Sequence, residues 1–131
     1  MERATVILVA EDDPIVRNLI NTVLTRSGYA VLLACDGIEA IRLSRRHTGQ
    51  IHLLLSDITM PRLGGLELVK LLREDRPGLK ALLISGRTSS EVTQGNTSFD
   101  FLAKPFLPTA LKARIERILA GNPEDETVDT V

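Results

Sequence analysis

The stretch ILVAEDDP, residues 7–14, runs four apolar residues directly into three carboxylates and a proline. Neighbouring like charges repel, so an apolar strand that ends on three acids implies separate jobs for them, or a cation among them. The chain around the stretch decides which. Five short apolar runs stand out, spanning residues 5–10, 29–34, 51–56, 80–85 and 99–103. They are nearly continuous rather than alternating, the pattern of parallel strands buried on both faces.

Helical spacing fills the intervals. Ile15, Val16, Leu19, Ile20, Val23 and Leu24 form an apolar stripe that ends at Ser27-Gly28, where glycine can take the left-handed cap. Asp36-Gly37-Ile38-Glu39 outlines a capping box and opens a second helix. The third follows Gly64-Gly65 and places Leu66, Leu68, Val69 and Leu72 on one side. The last runs from Pro108 to Gly121 with Leu111, Ile115 and Ile118 inward. Strand alternating with helix predicts a doubly wound α/β fold. Residues 87–98 should hold a further helix, yet Val92 is their only apolar residue, so two short, mobile turns at most are expected there. The sequence is read as one domain over residues 1–121, with residues 122–131 an acidic disordered tail or linker.

The bulk numbers exclude several classes. A chain of 131 residues, 44% hydrophobic and of net charge −1, fits one domain with one substantial core. It carries no basic footprint for nucleic acid. No apolar run reaches the length of a membrane span, and the N-terminus turns acidic too soon for a signal peptide. The single Cys35 excludes an internal disulfide and is expected to be a small buried hydrophobe at a strand end. His47 and His52 lack partners at ligand spacing and read as surface or packing residues. A cytoplasmic location is the default.

In an open parallel sheet, ligands bind at the carboxyl ends of the strands. Glu11 and Asp12 follow the first run, Asp57 the third, Ser85 the fourth and Lys104 the fifth. Asp13, with Pro14 at the first helical position, is placed to cap the first helix, where its charge suits the helix dipole. That separates its job from the other two. Glu11 and Asp12 facing Asp57 need a compensating cation; Lys104 supplies one charge, and an all-oxygen donor set suits Mg²⁺ for the rest.

These residues resemble the receiver domain of bacterial two-component response regulators. The resemblance covers about residues 4–120 and rests on the acidic pair before a capped helix, Asp57 opening D-x-x-M-P with Met60-Pro61, the hydroxyl of Ser85, and Lys104-Pro105-Phe106. It implies a flavodoxin-like receiver fold, a five-stranded parallel sheet of strand order 2-1-3-4-5. It further implies that Asp57 accepts a phosphoryl group from a histidine kinase, a histidine phosphotransfer protein or a small phosphodonor. Asp12 and Asp57 would ligate Mg²⁺ with the backbone carbonyl of Thr59, and Glu11 would act through water. Lys104 would pair with Asp57 and then with the phosphate, across a cis Lys104–Pro105 bond. Ser85 and Phe101 would form the switch. Such a domain is a signalling module rather than a classical enzyme, with a weak or phosphorylation-dependent homodimer as one output.

Three features depart from the family's usual pattern. Gly64 stands where an Asp is common, Thr59 and Arg87 occupy positions that tune dephosphorylation, and the Ser85–Lys104 interval is about one helical turn short. Two rival readings remain at this stage. Asp57-Ile58-Thr59 superficially resembles the D-x-D-x-T motif of haloacid-dehalogenase-type phosphatases, but their nucleophile lies on the first strand and this chain has no room for a capping insertion. A receiver-like interaction module that is never phosphorylated would typically lack one of the acids or the lysine, and all are present.

Overall fold

The computed structural model describes residues 4–86 and 100–121. In chain order these form β1 (Val6–Ala10), α1 (Pro14–Arg26), β2 (Ala30–Ala34), α2 (Gly37–Arg46), β3 (Leu53–Asp57), α3 (Gly65–Asp75), β4 (Lys80–Ser85), β5 (Asp100–Ala103) and α4 (Pro108–Leu119). The strands pair in parallel in the order β2-β1-β3-β4-β5, as expected. Residues 87–98 and the tail after Gly121 lie outside the described residues, as do the expectations made for them.

The continuous apolar runs are explained by two cores, one on each face of the sheet. Leu8, Leu54, Ala81 and Leu83 point to one side, where they meet Ala40 of α2 and Leu68, Val69 and Leu72 of α3. Ile7, Val9, Leu53, Leu55, Leu82 and Ile84 point to the other, against Ile20 and Leu24 of α1 and Leu111, Ile115 and Ile118 of α4. Side chains alternate across a strand, and here both sides are dry. Each such Leu or Ile fully withdrawn from water contributes about 1.5–3 kcal/mol.

Three sequence expectations are corrected. In α1 the inward arc is Ile20 and Leu24, flanked by half-buried Val16 and Val23, while Ile15 and Leu19 face outward. The six apolar residues span more of the helix circumference than the sheet covers. Leu66 of α3 is likewise exposed, for the same reason. Cys35 is exposed, not buried. The strand closes at Ala34, and Cys35 belongs to the α2 cap instead: its amide donates to Glu39 Oε1 at 2.7 Å while Glu39 N donates to Asp36 Oδ1 at 2.8 Å.

Long cations close the opposite ends of the helices. Arg76 donates from Nε to Ser44 Oγ, from Nη2 to the carbonyls of Ser44 and His47, and from Nη1 to that of Gly49, each at 2.9 Å. It gathers carbonyls at and just beyond the end of α2, where the helix supplies few or no amide donors of its own. Lys80 Nζ reaches the Ile118 carbonyl of α4 at 3.1 Å. His52 is a packing residue, and a specific one: its amide donates to Val6 O at 2.9 Å and its Nδ1 accepts from Val6 N at 3.0 Å, which extends the β1–β3 ladder by a side chain.

Candidate functional site

The carboxyl ends of β1, β3 and β5 converge on one acidic pocket. Carboxylate oxygens of Glu11, Asp12 and Asp57 all lie within 4.8 Å of one another. Asp57 is the last residue of β3, in register with Ile84 of β4, and is only 7% exposed. One of its oxygens, Oδ1, accepts the Thr59 amide at 3.2 Å. The other, Oδ2, is 2.9 Å from Lys104 Nζ. Lys104 follows β5, where its amide donates to the Ser85 carbonyl at 2.8 Å. The Lys104–Pro105 bond is cis, as the resemblance implied.

Glu11 is the most buried acid of the three, 1% exposed. Its Oε2 accepts the Asp13 amide at 3.0 Å. Its Oε1 has no hydrogen-bond partner and stands 3.5 Å from Lys104 Nζ. Burial, above all, raises the Glu11 pKa, and the charges of Asp57 and Asp12 add to the rise against the Asp13 amide and Lys104. Burial also opposes the Lys104 ammonium, but its bond to Asp57 and the charges of Asp57 and Glu11 outweigh that, and its pKa is raised. Among the described residues, one ammonium reaches this group of three carboxylates, and it pairs with Asp57 and Glu11. A buried carboxylate oxygen with no donor is the observation that fits a hard cation or its water at this pocket, and oxygen donors in this number suit Mg²⁺.

Asp13 is not part of the pocket's charge balance. Its Oδ1 accepts the Ile15 amide at 2.9 Å as the N-cap of α1. Ser85 is buried and contiguous with the pocket through its backbone bond to Lys104. Phe101, one turn of the pleat earlier on β5, is half-buried against the α2–α3 core, and its carbonyl accepts from Arg114 of α4.

The loop from Asp57 to α3 is fastened at several points. Ile58 N donates to Ile84 O at 2.9 Å and Gly65 N to Ile58 O at 2.8 Å. A Cβ on Gly65 would sit 2.5 Å from the Asp57 carbonyl oxygen, and one on Gly64 would sit 2.7 Å from that of Ile58. Two glycines are therefore needed for α3 to start this close to the acceptor strand. An Asp at position 64 would collide there unless the backbone moved.

Sequence reasoning missed two basic residues here. Arg17 of α1 donates from Nη1 to the Glu11 carbonyl at 3.0 Å. Arg62 adopts a left-handed φ of 69° and places Nη2 2.8 Å from Asp36 Oδ2. A non-glycine residue pays about 1–2 kcal/mol for that conformation, whereas an ion pair this exposed is worth about 0.2–1 kcal/mol. The only advance signal was Pro61 and the two glycines around Arg62-Leu63, which announce a turn but not its handedness.

Parallel order 2-1-3-4-5 with a lysine-bridged acidic pocket at the strand ends defines a class. The chain belongs to the response regulator receiver domain family, whose profile matches residues 7–116. It is 37% identical over 128 residues to the response regulator MprA of Mycobacterium leprae, an alignment that covers 95% of this chain and 55% of that protein. The chain thus spans about half the length of the curated relative it matches. Among solved structures it is similar to the receiver domain of the hybrid histidine kinase CckA, with 34% identity, TM-score 0.73, and 85% of this chain and 95% of that one covered. It also resembles a response regulator receiver protein of Sinorhizobium medicae, with 26% identity, TM-score 0.81, and 91% and 97% covered. It is a signalling domain of two-component systems, and nothing in the fold or the relatives favours the phosphatase alternative. Among the described residues, no helix is long and apolar enough to cross a membrane.

Proposed function

We infer that Asp57 is the phosphoryl acceptor of this domain. The observation that carries the reading is the Lys104 ammonium held 2.9 Å from a buried strand-end carboxylate whose neighbours are two further acids. In the step, an Asp57 carboxylate oxygen forms a bond to the phosphorus of a phosphohistidine. The P–N bond to the donor imidazole breaks, and its electron pair stays on that nitrogen, which takes up a proton from solvent. Phosphoryl transfer is mostly positioning and charge neutralisation, and the residues divide those tasks. The Thr59 amide orients Asp57 through Oδ1. Lys104 is free to follow the charge from Asp57 to the transferred group, and Ser85 donates to a phosphate oxygen. Phe101 adjusts its packing when Ser85 is drawn inward, which biases a two-state equilibrium.

Asp12 and Asp57 would hold Mg²⁺ directly with the Thr59 carbonyl, and Glu11 would hold it through water. When bound, the ion supplies the positive charge that three acids and incoming phosphoryl oxygens require. The donor would be a cytoplasmic histidine kinase or histidine phosphotransfer protein. Val16, Leu19, Pro105 and Phe106 line an apolar hollow of about 360 Å³ that Lys104 also borders. A phosphohistidine-bearing domain seated there would bring its donor group to the pocket.

Incubation with acetyl phosphate and Mg²⁺ tests the assignment. Intact mass should rise by one phosphoryl group, and Asp57→Asn should stay unmodified. Equal modification of Asp57→Asn and wild type would remove Asp57 from the role, and sustained turnover of p-nitrophenyl phosphate would restore the phosphatase alternative.

A further inference from the structure

The segment between Asp57 and α3 carries the Thr59 carbonyl, and its middle is held by contacts to a different element. Leu63 is buried, and its Cδ2, carbonyl oxygen and Cβ lie 2.9–3.1 Å from where a Cβ on Gly37 would be. The first residue of α2 is therefore packed closely against the loop, and a larger residue there would require Leu63 to shift. One residue earlier in each element, Arg62 Nη2 meets Asp36 Oδ2 at 2.8 Å. Asp36 is also the N-cap of α2, through its other oxygen. The same carboxylate thus starts a helix and holds the loop. Arg62 holds this contact from a left-handed conformation at the centre of a tight turn, in which the Leu63 amide donates to the Pro61 carbonyl at 2.7 Å. A strained turn that aims a charged side chain at another element motivates a positional reading.

We propose that Arg62 is a positioning residue for the cation pocket, an electrostatic latch that ties the Thr59-bearing loop to the N-terminus of α2 and so sets Mg²⁺ affinity. The proposal rests on the reading of the pocket as a Mg²⁺ site. Gly64 and Gly65 fix the loop where it joins α3, and Asp57 fixes it where it leaves the strand. Ile58 is bonded to Ile84 and Gly65, and Met60 and Leu63 are buried on the same side; the latch adds the polar tie that holds the exposed side of the turn. Losing it would let the turn shift, and with it a carbonyl ligand three residues from Arg62.

Two single variants separate position from stability. Arg62→Gly removes the latch and the left-handed cost together, so the metal-free protein should melt at or above the wild-type temperature. Asp36→Ser keeps a good N-cap and removes the charge pair. Mg²⁺ titrated alone, followed by amide shifts or calorimetry on the full chain, should bind both variants about tenfold more weakly than wild type, the low end for loss of an outer contact at a metal site. The double variant should be no weaker than either single one, and Arg62→Lys should recover most of the affinity. Wild-type affinity in both single variants would overturn the latch while leaving the pocket intact. A wild-type protein that binds no Mg²⁺ would instead overturn the reading of the pocket, and the latch with it.

Discussion

Replacing Lys104 by methionine keeps most of the aliphatic stem and deletes the only ammonium that reaches the acidic pocket among the described residues. The Nζ stands 2.9 Å from Asp57 and 3.5 Å from Glu11. At an effective permittivity of about 20, each separation corresponds to gross attraction on the order of 5 kcal/mol. Desolvation offsets most of that, and the lysine side chain keeps 26% of its exposure. The net loss should be about 2–3 kcal/mol, below the 3–5 kcal/mol of a fully buried pair. Unfolding entropy of about 2.1 cal/mol/K per residue over 131 residues converts this to a fall in Tm of roughly 7–11 °C. Mg²⁺ would replace the missing charge, so millimolar Mg²⁺ should raise the variant's Tm by more than it raises the wild type's. Protonating Glu11, whose pKa burial already raises, relieves the same repulsion, so the deficit should shrink on acidification. Thermal melts with and without Mg²⁺, at neutral pH and near pH 5, would decide it. A variant that melts within about 2 °C of wild type at neutral pH, or gains no more than wild type from Mg²⁺, would refute the charge argument.

Two other perturbations follow from the helix ends. Arg76→Ala should cost about 2–3 kcal/mol, from four hydrogen bonds discounted for solvent and side-chain entropy; Arg76→Lys should recover little, because a single ammonium cannot span the carbonyls of Ser44, His47 and Gly49. The urea midpoint gives the loss, and faster amide exchange confined to the end of α2 gives its location. Glu39→Ala should cost about 0.5–1 kcal/mol at neutral pH through loss of the α2 cap. The Cys35 amide, followed by its thiol, holds the Glu39 carboxyl below its ordinary value of 4.5, so this contribution is present above that value. It is lost as pH falls through the lower, folded value, and stability curves of variant and wild type should converge there.

The sheet was legible in the residues because burial on both faces leaves an unbroken apolar run, and five such runs with helices between admit few arrangements. Strand ends were less so. Ile51 is buried and was read as strand, yet β3 begins at Leu53, because it is the His52 ring that takes up the Val6 amide before regular pairing starts. The acidic pocket could be assembled in advance because Glu11, Asp12, Asp57 and Lys104 each sit at the end of a strand, a place that sequence order reveals. Arg76 and Arg62 could not, since their partners lie roughly thirty positions away and nothing in an arginine announces a left-handed backbone. Cys35 was misplaced by its residue type, whose usual burial says nothing of a cap that turns it outward.

A net charge of −1 describes this molecule only from far away. Each helix among the described residues begins at the carboxyl end of the sheet, where Asp13 and Asp36 cap two of them, and ends at the other, where Arg76 and Lys80 cover the carbonyls of two. A side-chain charge thus meets the backbone dipole at the start of α1, at both ends of α2 and at the end of α4. A partner approaching within a Debye length meets a body with two distinguishable ends, not a neutral sphere. A phosphoryl group on Asp57, as proposed, would alter the field at one end while the other stayed as it was, and the event could then be read by position as well as by shape.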